Sequence, residues 1–209
     1  MVQVLKDSVK NQITAAAETC FATDGFKKAT INAIASQAGV ATGTIYTYFK
    51  DKKRLFQAIV TPEFAEEFRR LTRKRIEAFA QPDGLDPQRA LLSGEAGDLL
   101  RFWIQNRRKV IILLARSEGS EYEGFARDYV QNMASQTVEQ ARSQFPDMEI
   151  TDLFVFMVNK YLADSVRGIV SILERFSKAE DIIKAFAASA AYQIAGINAF
   201  IKWCRTAGR

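Results

Sequence analysis

The sequence contains no histidine, and only two of its 209 residues are cysteine. Without histidine, the Ser-His and Cys-His catalytic pairs cannot form, and the commonest protein ligand of transition metals is missing. The two cysteines, Cys20 and Cys204, are far apart and stand outside any metal-binding or redox spacing, so we interpret them as buried free thiols. The sequence therefore predicts no metal site and no cofactor.

Signals for an enzyme or a membrane protein are also missing. The chain has no glycine-rich phosphate loop and no nucleophile elbow, although a carboxylate pair formed by tertiary contact stays open. The uncharged run at residues 185–201 is shorter than the stretch of about 20 apolar residues that a membrane span needs, and it contains three polar side chains. Residues 1–14 are polar and charged, unlike a signal peptide. We therefore expect a cytoplasmic protein that is neither an enzyme nor a membrane protein.

Positive charge is concentrated near the amino terminus. The formal net charge of the chain is +5, and residues 1–54 contain eight lysines and arginines against four acids. The remaining chain is close to neutral. A basic segment of this kind is typical of a surface that meets the phosphates of nucleic acid.

Residues 30–55, TINAIASQAGVATGTIYTYFKDKKRL, predict two short helices joined by a tight turn. In the first helix, residues 31, 34, 35 and 38 are apolar at helical spacing, after Thr30 as a favourable N-cap. Gly39 is suited to the left-handed conformation that ends a helix, and small Ala35 allows the two helices to cross closely. This arrangement is a helix-turn-helix.

The second helix, over residues 42–49, has two different faces. Ile45 and Phe49 are four residues apart on one face and are predicted core residues. The other face has hydroxyl groups and no acid, so it can enter a negatively charged groove without repelling phosphates. Lysines and an arginine follow at residues 50–54, where the next helix begins. Cations at a helix N-terminus oppose the helix dipole, and DNA phosphate is the partner that we predict for them.

The pattern T-x-x-x-I-A-x-x-A-G-V-x-x-G-x-I-Y-x-Y-F-x-x-K-x-x-L, which begins at Thr30, resembles the DNA-binding signature of the TetR family of transcriptional regulators. The resemblance covers about residues 6–60 and joins two helices, the turn and the start of a fourth helix in fixed register. The rest of the chain resembles the family in length and helical pattern. One departure is Ala41, where a serine or another capping residue is common.

The resemblance implies two groups of DNA-contacting residues. Thr30, Tyr46 and Lys52 match positions that hold phosphates. Bases are faced by Thr42, Gly43, Thr44, Thr47 and Tyr48. Alternatives stay open at three of these positions: Thr30 acts only as a cap, Gly43 only relieves crowding, and Tyr46 is partly core.

Outside this stretch the sequence predicts further helices. The predicted ranges are 7–23, 87–104, 106–116, 121–144, 151–175 and 178–203. A fourth helix is predicted to begin at residue 51 or 52. It either kinks at Thr61-Pro62 or stops and restarts there, and it ends near residue 79. A turn signal lies at residues 81–84. The last two helices are apolar over more than the width that a surface helix of a monomer needs. Relatives of the family dimerise through a four-helix interface, and we expect the same here.

Aromatic and methionine side chains in the second half are candidates for an apolar ligand pocket between helices, although such a set is also typical of plain core. The candidates are Phe102, Trp103, Tyr122, Phe125, Tyr129, Met133, Met157 and Tyr161. A cluster of glutamates at 118, 121 and 123 is explained by a solvated turn.

The sequence thus predicts an all-α fold, with a three-helix helix-turn-helix DNA-binding domain of residues 1–52 and a larger helical ligand-binding and dimerisation domain of residues 53–209. We expect a homodimeric transcriptional regulator that binds a palindromic double-stranded DNA operator. By resemblance it is a repressor released by an unknown small-molecule effector. Two alternatives stay open, an effector-independent DNA-binding dimer and a small helical enzyme.

Overall fold

The computed structural model describes residues 2–79 and 94–207. Within those ranges the chain forms helices and no strands, which confirms the all-α prediction. The helices are α1 Val2–Lys28, α2 Ile31–Ala38, α3 Thr42–Tyr48, α4 Lys52–Gln57, α5 Pro62–Phe79, α6 Gly94–Gln105, α7 Arg107–Ala115, α8 Phe125–Gln144, α9 Asp152–Arg175 and α10 Ala179–Ala207. The predicted turn at 81–84 and the predicted helical residues 87–93 lie outside the described residues.

The chain divides into two compact units. The first combines residues 1–66 with residues 106–126, and the second combines residues 67–105 with residues 127–209. The amino-terminal helices α1 to α4 therefore share a unit with α7, which is separated from them in the sequence. The predicted domain boundary after residue 52 divides the chain by function and stays a prediction.

The first unit is organised by a corner in α1. Gly25 has φ of 80° and ψ of 159°, which interrupts the helix where the sequence predicts its end. A side chain at this φ is strained, and a Cβ would also meet the Arg116 carbonyl oxygen at 3.4 Å. Beyond the corner, Phe26 returns to the core, with its ring centroid 5.8 Å from that of Phe21 and 4.9 Å from that of Phe56.

The segment after α7 packs against this corner. The Phe26 amide donates a 2.8 Å hydrogen bond to the Arg116 carbonyl oxygen. Glu118 forms a 2.5 Å ion pair with Lys27. The Glu121 carboxylate accepts a 3.1 Å hydrogen bond from the Gln57 amide. Glu118 and Glu121 therefore contact α1 and α4 from the predicted turn.

The predicted helix over residues 121–144 begins later than predicted, because α8 begins at Phe125. Serine side chains form a turn in the intervening residues. The Ser117 hydroxyl donates a 2.8 Å hydrogen bond to the Tyr122 carbonyl oxygen, and the Ser120 hydroxyl donates a 2.7 Å hydrogen bond to the Ser117 carbonyl oxygen. Such local side-chain bonds compete with helix formation.

At Thr61-Pro62 the chain stops one helix and starts another, which decides between the two predicted alternatives. The α4 helix ends at Gln57, and α5 begins with Pro62 at its first position. The Thr61 hydroxyl accepts a 3.2 Å hydrogen bond from the Phe64 amide, as an N-cap residue does.

In the second unit, the long helices α9 and α10 pack together near their ends. Thr151 caps α9 by accepting a 3.2 Å hydrogen bond from the Phe154 amide. The rings of Phe154 and Phe200 stack at 5.6 Å, beside a core cluster that includes Ala134, Met148 and Val158. Among the described residues, no helix combines the length and apolar character needed to cross a membrane.

Candidate nucleic-acid interface

The first helix of the helix-turn-helix has the predicted cap at each end. The Thr30 hydroxyl accepts a 3.1 Å hydrogen bond from the Ala33 amide. Gly39 has φ of 65°, and its amide and that of Val40 donate to carbonyl oxygens of the last turn of α2. A non-glycine residue is strained at this φ, so the turn into α3 depends on Gly39.

The α3 helix is fixed from inside by its two predicted core residues. Ile45 is completely buried, and Phe49 is nearly so. Ala41 occupies the N-cap position without a side-chain hydrogen bond. Instead, the Thr42 hydroxyl donates a 3.1 Å hydrogen bond to the Asn32 side-chain oxygen, which joins the start of α3 to α2. The sequence pattern alone does not indicate Asn32, because its contact with Thr42 depends on the crossing angle of the two helices.

The opposite face of α3 is open to solvent. Tyr46 is 54% exposed, Gly43 and Thr47 are exposed, and Thr42, Thr44 and Tyr48 are half-buried. A Cβ at Gly43 would meet no atom within 4 Å, so the packing of this protein does not itself require glycine there. The face presents hydroxyl groups, a phenol and bare backbone, which are groups that can contact phosphates and base edges.

The cations near this face differ in their surroundings. Lys28, Lys50, Lys53 and Arg54 are exposed. Lys52 is half-buried, and its ammonium group donates to backbone carbonyl oxygens at the end of α1. Burial lowers the pKa of Lys52. The predicted role of Lys52 as a phosphate contact stays a prediction.

This segment also matches a known family. Residues 13–59 fit the sequence profile described as "Bacterial regulatory proteins, tetR family". The amino-terminal segment is therefore similar to the TetR family of bacterial regulators. The match includes α2, α3 and α4 in full, and therefore the whole helix-turn-helix.

A bacterial regulator is also similar to part of the chain. An uncharacterized HTH-type transcriptional regulator of Bacillus subtilis (strain 168), YhgD, is 44% identical over 52 residues, which are 25% of this chain and 27% of that protein. The match thus spans about a quarter of the relative's length.

Solved structures of TetR-like regulators resemble the chain over most of its length at low identity. A regulator of the TerR/AcrR family from Aquifex aeolicus VF5 is 12% identical, with 88% of this chain and 98% of that chain covered and a TM-score of 0.47. FadR from Bacillus subtilis, solved in complex with stearoyl-CoA, is 17% identical, with 88% and 96% covered and a TM-score of 0.48.

Outside residues 13–59, the structure separates the predicted pocket residues. Phe102, Trp103 and Tyr129 surround Phe68, with ring centroids 5.9, 6.5 and 4.9 Å away. Met133 is buried in α8, in the same unit. Met157 lies half-buried on α9, and Tyr161 contacts the ring of Phe200. Tyr122 and Phe125 belong to the other compact unit, where Tyr122 contacts Phe56.

The group around Phe68 combines apolar rings with a few polar atoms. The hydroxyl groups of Thr72 and Tyr129 share a 2.7 Å hydrogen bond in the interior, and burial raises the pKa of Tyr129. The indole N–H of Trp103 is buried, and no acceptor among the described residues reaches it. A separate open groove of about 570 Å³ lies at the ends of α8 and α10, and none of the predicted pocket residues lines it.

Proposed function

We propose that the protein is a DNA-binding regulator of transcription that inserts residues 42–48 into the major groove of an operator. The observation that carries the proposal is the exposed, acid-free face of α3, held from behind by buried Ile45 and Phe49, in a segment similar to the TetR family. In this proposal Thr30, Tyr46 and the exposed cations contact phosphates. Thr42, Gly43, Thr44, Thr47 and Tyr48 face the bases. A regulator that acts on the chromosome works in the cytoplasm.

A homodimer is part of the proposal, because α9 and α10 expose large apolar side chains. The described residues include seven exposed large hydrophobic side chains, and all except Tyr46 lie on these two helices. They are Leu153, Phe156, Tyr161, Tyr192, Ile197 and Trp203. Side chains of this kind mark an interaction surface, and small residues along α10 allow a second helix to approach closely. A dimer would recognise a pseudo-palindromic operator with half-sites separated by multiples of about 10 base pairs.

Two substitutions in α3 test the DNA interface. Thr44→Val keeps the shape of the side chain and removes its hydroxyl, so it is expected to change the preferred base pair at one position of each half-site. Affinity for the original sequence should fall about 5–30-fold. Tyr46→Phe removes a hydroxyl at a phosphate position, and it should weaken selected and unrelated duplexes by the same factor, about 5–10-fold.

The measurement uses a duplex enriched from a random-sequence pool by the wild-type protein, and an unrelated duplex of equal length, in anisotropy titrations at fixed salt. Both altered side chains are at least partly exposed, so the variants are expected to fold. If both variants keep the affinity and the sequence preference of the wild type, α3 does not contact DNA in the proposed way.

We also propose an effector site around Phe68, where the Trp103 indole N–H has no acceptor among the described residues. A small apolar molecule with a hydrogen-bond acceptor would satisfy that N–H and be surrounded by the rings of Phe102 and Tyr129. An effector that binds better to a form of the dimer unable to bind DNA releases the operator by its difference in affinity between the two forms.

The chain has only two tryptophans, so Trp203→Phe leaves Trp103 as the sole indole reporter. A panel of apolar acids, esters and ketones is titrated against this variant. For a true effector, we expect the Trp103 emission to shift and the enriched duplex to be released over the same concentration range. If no compound changes either signal, the effector-independent dimer is favoured.

A further inference from the structure

Lys52 differs from the cations on either side of it. Lys50, Lys53 and Arg54 are exposed, whereas Lys52 is half-buried. As the first residue of α4, Lys52 stands where a cation opposes the helix dipole. The N-terminus of α4 is capped separately by Asp51, whose carboxylate accepts a 2.8 Å hydrogen bond from the Arg54 amide. The ammonium group of Lys52 therefore needs a stabilising partner elsewhere.

The structure places that partner inside the protein. The Lys52 Nζ donates hydrogen bonds to the carbonyl oxygens of Phe26 at 2.7 Å and Ala29 at 3.0 Å, with a longer contact of 3.4 Å to the carbonyl oxygen of Lys27. An ammonium group has three protons, and these three acceptors match that number. The Nζ also lies 4.6 Å from the centroid of the Phe26 ring, within the range of a cation–π interaction.

These acceptors lie where a cation is favoured. The α1 helix ends at Lys28, and the last carbonyl groups of a helix have no amide donor within that helix. Lys52 thus satisfies polar groups that the Gly25 corner and the end of α1 bring together. If Lys52 were exposed and free to bind a phosphate, those carbonyl groups would be left to solvent.

Lys52 links the start of α4 to the residues between the Gly25 corner and α2. The residues that accept its hydrogen bonds run from the Gly25 corner to Ala29, which immediately precedes the Thr30 cap of α2. Lys52 itself begins α4, which follows α3 after only three residues. Its hydrogen bonds therefore hold together the two ends of the segment that contains α2 and α3.

We propose that Lys52 is a positioning residue, which fastens the start of α4 to the end of α1 and so fixes the angle at which α3 meets DNA, rather than a phosphate contact. The part of this inference that concerns DNA rests on the proposed function. It assigns to Lys52 a role different from the one that the family resemblance implies.

Three variants separate the two roles. Lys52→Gln and Lys50→Gln remove the same charge two residues apart, and the second serves as the matched control. Only Lys52→Gln should lower the Tm, by about 5 °C, because only Lys52 donates to the end of α1. Lys52→Arg keeps the charge, but the planar guanidinium group is a poor match for three acceptors around one nitrogen. We expect Lys52→Arg to lower the Tm as well, whereas a phosphate contact would tolerate arginine.

DNA binding is then measured far below the Tm, where each variant is folded, on the duplex enriched by the wild type and on an unrelated duplex. A positioning role predicts that Lys52→Gln loses about tenfold in affinity for the enriched duplex and little for the unrelated one, with the salt dependence unchanged. A phosphate contact predicts an equal loss on both duplexes. The slope of log K against log salt would then become shallower by about 0.9 for each phosphate that the variant no longer neutralises.

An equal loss on both duplexes, with a shallower slope and an unchanged Tm, overturns the proposal. Failure of the proposed function gives a different result, since the wild type would then enrich no duplex. The positioning role is still decided in that case by the Tm of the three variants and by hydrogen exchange of the α2 amides, which should be faster in Lys52→Gln than in Lys50→Gln. Equal exchange and equal Tm would overturn it.

Discussion

Replacing Phe56 by alanine is expected to lower the free energy of unfolding by about 3–5 kcal/mol, a large part of the 5–15 kcal/mol that is typical of a folded protein. Phe56 is completely buried in the first compact unit. Its ring lies edge-on to the rings of Phe21 and Phe26, with centroids 5.2 and 4.9 Å away, and it also contacts Tyr122. The substitution therefore removes apolar contact and opens a cavity at the centre of three rings.

The matched control is Tyr46→Ala, which truncates an aromatic side chain in the same unit at an exposed position. Surface substitutions of this kind change stability by about 0.5 kcal/mol or less. Urea unfolding followed by circular dichroism compares the two variants. Equal losses of stability would contradict the assignment of Phe56 to the centre of the core.

Replacing Phe156 by aspartate is expected to convert the proposed dimer into a monomer. Phe156 is 62% exposed on α9, although it is one of the larger apolar side chains of the chain. A stable interface buries about 800 Å² per partner, and its central aromatic side chains each contribute about 2 kcal/mol or more. An unpaired carboxylate in that surface adds a desolvation cost. Because the residue is exposed in the single chain, the fold should persist.

Sedimentation measures the oligomeric state, and the enriched duplex measures DNA binding. We expect Phe156→Asp to sediment as a monomer at micromolar concentration and to bind the duplex about 100-fold or more weakly, since each molecule can then occupy only one half-site. Gln131→Asp, on the exposed face of α8, introduces the same charge as a control and should remain dimeric. A Phe156→Asp variant that remains a dimer would mean that the apolar surface of α9 and α10 serves another purpose.

The helix-turn-helix was predictable from sequence because its determinants are local. The Thr30 cap, the left-handed Gly39 and the pair Ile45 and Phe49 act over at most a few residues, and each lies in the structure as predicted. Turn chemistry that involves several serines was harder to predict. Helical periodicity alone placed the start of α8 at residue 121, because it does not count the hydrogen bonds of Ser117 and Ser120 that delay it.

The candidate pocket shows a limit of composition as a guide. Eight aromatic and methionine residues at helical spacing were grouped in the sequence, but Tyr122 and Phe125 lie in a different compact unit from Phe102, Trp103 and Tyr129. Periodicity indicates which face of a helix is buried, and it does not indicate which other helix covers that face. The buried indole N–H of Trp103 became visible only when its neighbours were known.

By itself, the sequence determined that the protein is helical, where the helix-turn-helix begins and ends, and which face of α3 is free to meet DNA, because these properties depend on spacing and on caps within about 25 residues. Tertiary structure alone decided the surroundings of each charge. Lys52 and Lys50 are indistinguishable as letters in a basic run, yet only Lys52 reaches the end of α1. Likewise, Glu118 meets Lys27 across 91 positions of the chain. Such contacts depend on how distant segments pack, which local patterns do not record.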